Sequence, residues 1–274
     1  MELVLPRMAA YLPFTLLAAS FYLAAASWIW LRLAGKVPEK CALIRVVGAS
    51  GLLAHAVTLY GLLSLEGGLS LGLIEVASLL SWLICAFILI SSFTKPTLNL
   101  AAVLFPLAVI FLFLGQFADM GARLPRSKDG LLFHILASLS AYSLFALASV
   151  QALLLALQNR QLKHHHLRGL IAVLPPLQTM ERLLFDLLVA GQLMLTLGIA
   201  SGFIFLDSMF TGGNAHKTFF ALAAWLTFGI LLLGHWRLGW RGATAVRWTL
   251  GGALLLLFAY FGSRMVMQFL TGRG

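Results

Sequence analysis

The chain has 274 residues, 61% of them hydrophobic and only 10% charged, and its mean hydropathy is +0.96. Soluble domains carry about 25% charged residues, so these values exclude a soluble domain of ordinary size and leave a polytopic helical membrane protein. The formal charge of +10 does not point to nucleic acid: Lys and Arg fall in short clusters between apolar runs, where they report topology.

Eight apolar segments are separable, at 9–31, 41–64, 69–92, 98–117, 131–158, 183–206, 217–236 and 248–270. Each approaches or exceeds the roughly 20 residues that a helix needs to cross about 30 Å of hydrocarbon. The expected fold is therefore all-α, a transmembrane bundle of eight spans forming a single integral membrane domain over 1–274. The start, MELVLPRM, lacks a strong basic region and a small-residue cleavage site, so the first segment reads as a retained span. Glu66-Gly67-Gly68 separates the second and third segments as a charged turn signal. Pro106 falls inside the fourth and predicts a kink. The fifth is long enough to tilt or to project beyond the bilayer.

Loop charges set the orientation. The first, third, fifth and seventh connections and their edges hold Arg32, Lys36, Lys40, Arg45, Lys95, Arg160, Lys163, Arg168, Arg182, Arg237, Arg241 and Arg247, which is 12 of the 19 Lys and Arg. The other seven are spread over the termini and the even connections. This bias puts the odd connections in the cytoplasm and both termini outside. The longest connection, 159–181, has a basic head with His164-His165-His166, then Pro175-Pro176. It reads as a cytoplasmic lip against anionic lipid, because a lone histidine run lacks fixed ligand geometry.

Few residues inside the spans can carry chemistry. Cys41 and Cys85 form no CxxC, which argues against thiol-redox work. Glu75, Asp186 and Arg264 fall within about two turns of a span end and can snorkel. His55 sits near the midplane of its span, where an imidazole wants a partner. With His134, His216 and His235 it completes the set of candidate ligands. Neutral imidazole is a common axial ligand to haem iron, and an apolar cavity between helices suits a porphyrin. The segments lack the paired Gly/Pro-interrupted helices of a midplane transport site, which ranks a small-solute transporter low.

Three stretches carry a family resemblance. One runs from Lys217-Thr218 through Ala224-Trp225 to Gly234-His235 and Leu238-Gly239-Trp240-Arg241-Gly242. The others are Leu132-Phe133-His134 with Ser140-Ala141-Tyr142, and Ala259-Tyr260-Phe261-Gly262-Ser263. Together they resemble the cytochrome c assembly membrane proteins, the CcsA/CcmC superfamily of haem handlers, and within it the small inner-membrane branch called YpjD-like or HemX-like. The resemblance covers the last half of the chain well and the first half loosely. It implies a bacterial inner-membrane protein that binds haem b through pairs of histidines on different helices. His134 matches the family's outer-face histidine, and His235 the one that closes the helix after the haem-presenting loop. That loop is Trp-rich in larger members; here residues 207–215 read DSMFTGGNA, with no Trp, and no histidine follows the last span. An accessory or haem-handling role is therefore expected rather than a complete haem-attachment synthetase. The alternative is a non-haem structural or regulatory partner of another membrane complex. Expected partners are membrane lipid and a membrane protein, with no nucleic acid.

Depth arithmetic at about 1.5 Å per residue decides which histidines face each other. His134 lies about 7 Å and His55 about 15 Å below the outer ends of their spans, His235 lies about 27 Å below, and His216 opens its span at the surface. An outer pair of His134 and His216, as axial ligands to haem iron, is favoured, with His55 lining the cavity from below and His235 apart. The orientation is checked by reporter fusions. Those after Arg168 and Arg241 are expected to read cytoplasmic and one within 211–214 external; an inverted pattern would move His134 and His216 to the cytoplasmic side.

Overall fold

A computed structural model describes residues 4–65, 68–70, 73–116, 123–124, 130–163, 175–205 and 215–259. Among these residues the order is α1 (Val4–Leu33), α2 (Cys41–Leu63), β1 (Ser64–Leu65), β2 (Gly68–Ser70), α3 (Leu73–Ser91), α4 (Leu98–Gln116), β3 (Arg123–Leu124), α5 (Leu131–Lys163), α6 (Leu177–Phe205), α7 (Ala215–Leu238) and α8 (Ala243–Leu257). Seven of the eight helices are long and apolar enough to cross a membrane. The expected polytopic helical bundle is what the chain forms. The far part of the eighth expected segment, 260–270, lies outside the described residues, as do His164–His166, residues 207–214 and Arg264.

Helix boundaries differ from the apolar segments where polar residues continue a helix or glycine ends one. Ser64, Leu69 and Ser70 leave the expected spans for a small antiparallel ribbon in which β2 pairs both β1 and β3, with Leu65 opposite Gly68. The two-residue connection between those partners suits a hairpin. α6 starts six residues before its apolar run: Pro176 precedes the first turn, and its carbonyl accepts from the N–H groups of Thr179 and Met180. α8 likewise begins at Ala243, where Glu181 Oε1 accepts from the Gly242 N–H at 2.6 Å.

Within the membrane sequence the helices cluster into two compact units, α1–α4 with the strands and α5–α8. In the first unit α4 runs through Pro106 as one helix. Proline has no N–H, so the carbonyl of Ala102 lacks its donor four residues on. The Trp30 indole of α1 supplies one at 3.0 Å. Near the start of α2, the Arg45 guanidinium donates to the Ser92 hydroxyl and carbonyl and covers the Phe93 ring. Arg32 binds Glu39 and Asn99.

In the second unit α5 and α6 are antiparallel, tied by Gln151 Nε2 to the Met180 carbonyl (2.8 Å) and Gln158 Nε2 to the Pro175 carbonyl (2.9 Å). At mid-height Phe145 of α5 stacks on Phe228 of α7, with centroids 3.8 Å apart and planes within 8°. Gly191 of α6 backs Phe145 and Gly252 of α8 backs Phe228. A Cβ on Gly252 would stand 2.6 Å from the Phe228 ring. Gly252→Ala should therefore overpack the unit and destabilise it by about 1–3 kcal/mol, read by thermal unfolding in detergent; unchanged stability would mean that the stack yields freely.

Candidate functional site

The second unit carries three of the four candidate histidines. His134 is in the first turn of α5, partly buried. Its Nδ1 lies 2.9 Å from the Gly198 carbonyl of α6 and 3.3 Å from Ser201 Oγ. A carbonyl only accepts, so Nδ1 carries the proton and Nε2 keeps its lone pair. The contact needs Gly198: a Cβ there would meet Ser138 Oγ at 2.9 Å and Ser138 backbone at 3.4 Å, so a side chain would hold α6 away from α5.

His235 is fixed in the same way at the other end. Its Nδ1 donates to the Trp240 carbonyl at 2.8 Å, and its ring stacks on Phe185 of α6, centroids 3.4 Å apart. The turn that brings Trp240 back depends on Gly239, whose φ of +68° favours glycine and whose N–H donates to the His235 carbonyl. Trp240 then covers Gly234 and leans on Trp248. Trp236, by contrast, is 64% exposed.

Hydrogen bonds between helices give the levels. Gln192 Nε2 donates to the Trp225 carbonyl and the Trp225 indole donates to Thr196 Oγ1, so these residues share a height. Phe185 stands level with His235. His134, level with Gly198, is then opposite about Leu222 of α7. His216, exposed in the first turn of α7, lies about six residues, or about 9 Å, beyond that level on the same end. His235 lies about thirteen residues, or about 20 Å, the other way. His134 and His216 thus share one end of the unit and His235 occupies the opposite one.

His55 belongs to the first unit and is fully buried. Its Nδ1 is 3.4 Å from the Tyr22 hydroxyl and its Nε2 is 3.2 Å from Ser78 Oγ, so both nitrogens are engaged. Glu75, expected to snorkel, is instead enclosed by the bundle with 4% exposure. Sequence reasoning passed over Tyr22, Ser78, Thr15, Thr58 and Gln116, all buried and polar. Their legible signal was spacing: His55 with Thr58, and Glu75 with Ser78, each one turn apart on a helix.

Among the described residues no three of His, Cys, Asp and Glu gather around a common point. A closed all-protein metal cage is not what these histidines build. A porphyrin brings its own equatorial nitrogens, so one or two free Nε2 atoms suffice for its iron. The donor chemistry of His134 and His235 fits such a group: a ligating histidine characteristically gives its other N–H to a carbonyl.

Fold and histidines together define a polytopic membrane protein with imidazoles anchored to backbone at both ends of one helical unit. The chain belongs to the cytochrome c assembly protein family, which it matches over residues 43–271. It is 33% identical over 224 residues to inner membrane protein YpjD of Escherichia coli strain K12, covering 80% of this chain and 84% of that protein. It is 32% identical over 195 residues, 68% of this chain and 71% of the relative, to a 28.8 kDa protein in the nifR3-like 5' region of Azospirillum brasilense. No solved structure matches it significantly.

The His134 anchor can be tested without any ligand. In protein labelled with 15N-histidine, His134 is expected to show a single Nδ1–H tautomer, and Gly198→Ala to mix the tautomers while costing about 1–3 kcal/mol of stability. An unmoved His134 spectrum in the variant would show that the carbonyl does not set the ring.

Proposed function

We propose that this protein binds haem b in the bacterial inner membrane as an accessory or haem-handling member of the cytochrome c assembly family. The observation that carries the reading is the His134 ring, turned by the Gly198 carbonyl so that its Nε2 is the basic nitrogen. His134 is the axial ligand and His216, on the same end of the second unit, its partner. The offset of about 9 Å along the axis is bridged by side-chain reach and helix tilt. When bound, haem supplies an iron centre whose properties follow its axial ligands and surroundings. The chain's own part is to hold a neutral imidazole in one tautomer and shield it with apolar helices. His235, about 20 Å away in depth, cannot share that iron and is a separate inner candidate. His55, with both nitrogens engaged, takes no part in ligation. Residues 207–215, which lack Trp, support handling rather than attachment of haem.

The test is the absorbance spectrum of purified protein and of the variants His134→Ala, His216→Ala and His235→Ala. The wild type is expected to show a sharp Soret band. His134→Ala should abolish most of it, His216→Ala should weaken it, and His235→Ala should leave it. Loss in the His235 variant alone would replace the outer pair by an inner site. A wild type without haem, even after reconstitution, would favour a structural or regulatory partner of another membrane complex.

A further inference from the structure

The end of the first unit where α1 stops and α2 starts gathers five cations and one acid. Residues 28–46 and 91–99 hold Arg32, Lys36, Lys40, Arg45 and Lys95, against Glu39 alone. Hydrogen bonds draw the two stretches together. Arg32 of α1 binds Glu39 and also Asn99 in the first turn of α4, and Arg45 of α2 donates to Ser92 just past α3. The α1–α2 connection folds back on α1: Gly35, at φ +71°, lets the Lys36 N–H return to the Leu31 carbonyl. Further on, the Trp28 indole donates to the Pro38 carbonyl at 3.4 Å, and Lys40 Nζ stands 5.7 Å from the Trp28 ring centre.

The acceptors at this end are already engaged. Glu39 takes Arg32 and the Cys41 thiol, Asn99 takes Arg32, and Ser92 takes Arg45. Arg32 Nε is buried with no acceptor among the described residues. Lys36 and Lys40 are exposed and make no ion pair among the described residues. A bias of cations toward one side of a membrane explains their presence in a connection, but not their places within it. Lys40 immediately precedes α2, its carbonyl accepting from the Ile44 N–H, and Lys95 precedes α4. Neither helix has an acid in its first turn. The positive end of a helix disfavours cations, so both helix starts are short of negative charge. Beyond Lys40, one face of α2 exposes an apolar stripe through Leu43, Val46, Leu53 and Val57. Phe93, 72% exposed, carries the Arg45 guanidinium 4.7 Å from its ring centre.

We propose that this end of the first unit binds the phosphate of an anionic phospholipid through Lys36 and Lys40, with an acyl chain lying on the α2 stripe. Charge and surface together select a lipid. A free phosphate answers the charge and leaves the apolar stripe without a partner. A zwitterionic lipid covers the stripe, but its own cationic group offsets the attraction to the lysines. The rings of Trp28 and Phe93 belong at the depth where headgroups meet acyl chains. Lysine is a compact charge on a flexible stem, which suits a phosphodiester that needs no fixed fork geometry. Arg32 and Arg45, already held by Glu39, Asn99 and Ser92, brace the helix ends and leave the lipid to the lysines. No histidine takes part, so the site is independent of the haem proposal.

The experiment follows thermal unfolding of the full chain in uncharged detergent as phosphatidylglycerol, phosphatidylcholine or inorganic phosphate is added. Phosphatidylglycerol should raise the wild-type midpoint, and the other two should not. Lys36→Gln combined with Lys40→Gln should raise the lipid concentration for half the effect about thirtyfold. Arg237→Gln combined with Arg241→Gln removes the same charge from the α7–α8 connection and should leave that concentration nearly unchanged. An equal loss in both double variants would reduce the effect to net charge and overturn the proposal. An equal rise with phosphatidylcholine would overturn it in favour of unselective lipid contact, and one with inorganic phosphate in favour of a free-anion site. Stabilisation by polyglutamate and not by lipid would put an acidic protein partner in its place. Should the lysine double variant fail to fold, native mass spectrometry of Lys36→Gln against wild type decides. Fewer retained phosphatidylglycerol molecules in the variant support the site, and equal retention refutes it.

Discussion

Hydrocarbon offers no hydrogen bonds, so every polar atom carried into it must find its partner inside the protein. That constraint orders the whole molecule. Pro106 strands the Ala102 carbonyl, and Trp30 crosses from α1 to satisfy it. Gln192, Trp225 and Thr196 knit α6 to α7. The same requirement orients the histidines, because a ring whose Nδ1 must donate to a carbonyl has its tautomer and its direction fixed at once. A demand of the solvent thus becomes a statement about which nitrogen is left for chemistry.

The two units answer that demand differently. In the second, His134 and His235 each take one backbone carbonyl and keep one nitrogen basic. In the first, His55 takes two hydroxyl partners and keeps none. Imidazoles of equal composition are thereby divided into two held by a single backbone carbonyl and one with both ring nitrogens engaged by hydroxyls. The division follows from partner chemistry, not depth: His55 is the most buried of the four, yet burial alone would have made it an attractive ligand.

Much of this was legible in the sequence. Apolar runs gave the helices, and their ends went astray only where polar residues continued a helix, as at Leu177 and Ala243, or where glycine favoured a ribbon, as at Gly68. Axial rise placed His134 and His216 at one end and His235 at the other, because depth depends only on counting residues. Rotation about each helix axis could not be counted in this way. Glu75 looked able to snorkel because its height is near a span end, but its azimuth points into the bundle. The partners of His55 were hidden for the same reason: Tyr22 and Ser78 lie 33 and 23 residues away in the chain, and only packing brings them together. Residues 207–214 and 260–274, which hold the departures from the wider family, lie outside the described structure.

The stacked rings of Phe145 and Phe228, wedged between Gly191 and Gly252, divide the second unit into two storeys. Above and below them stand one anchored imidazole each, and between them the floor is solid. A flat ligand resting on one storey has no stairwell to the other: it must leave sideways through the helices or wait for two aromatic planes to part. Because glycine backs both rings, neither can retreat without a neighbouring helix moving with it. Parting the two rings is therefore a helix-scale event.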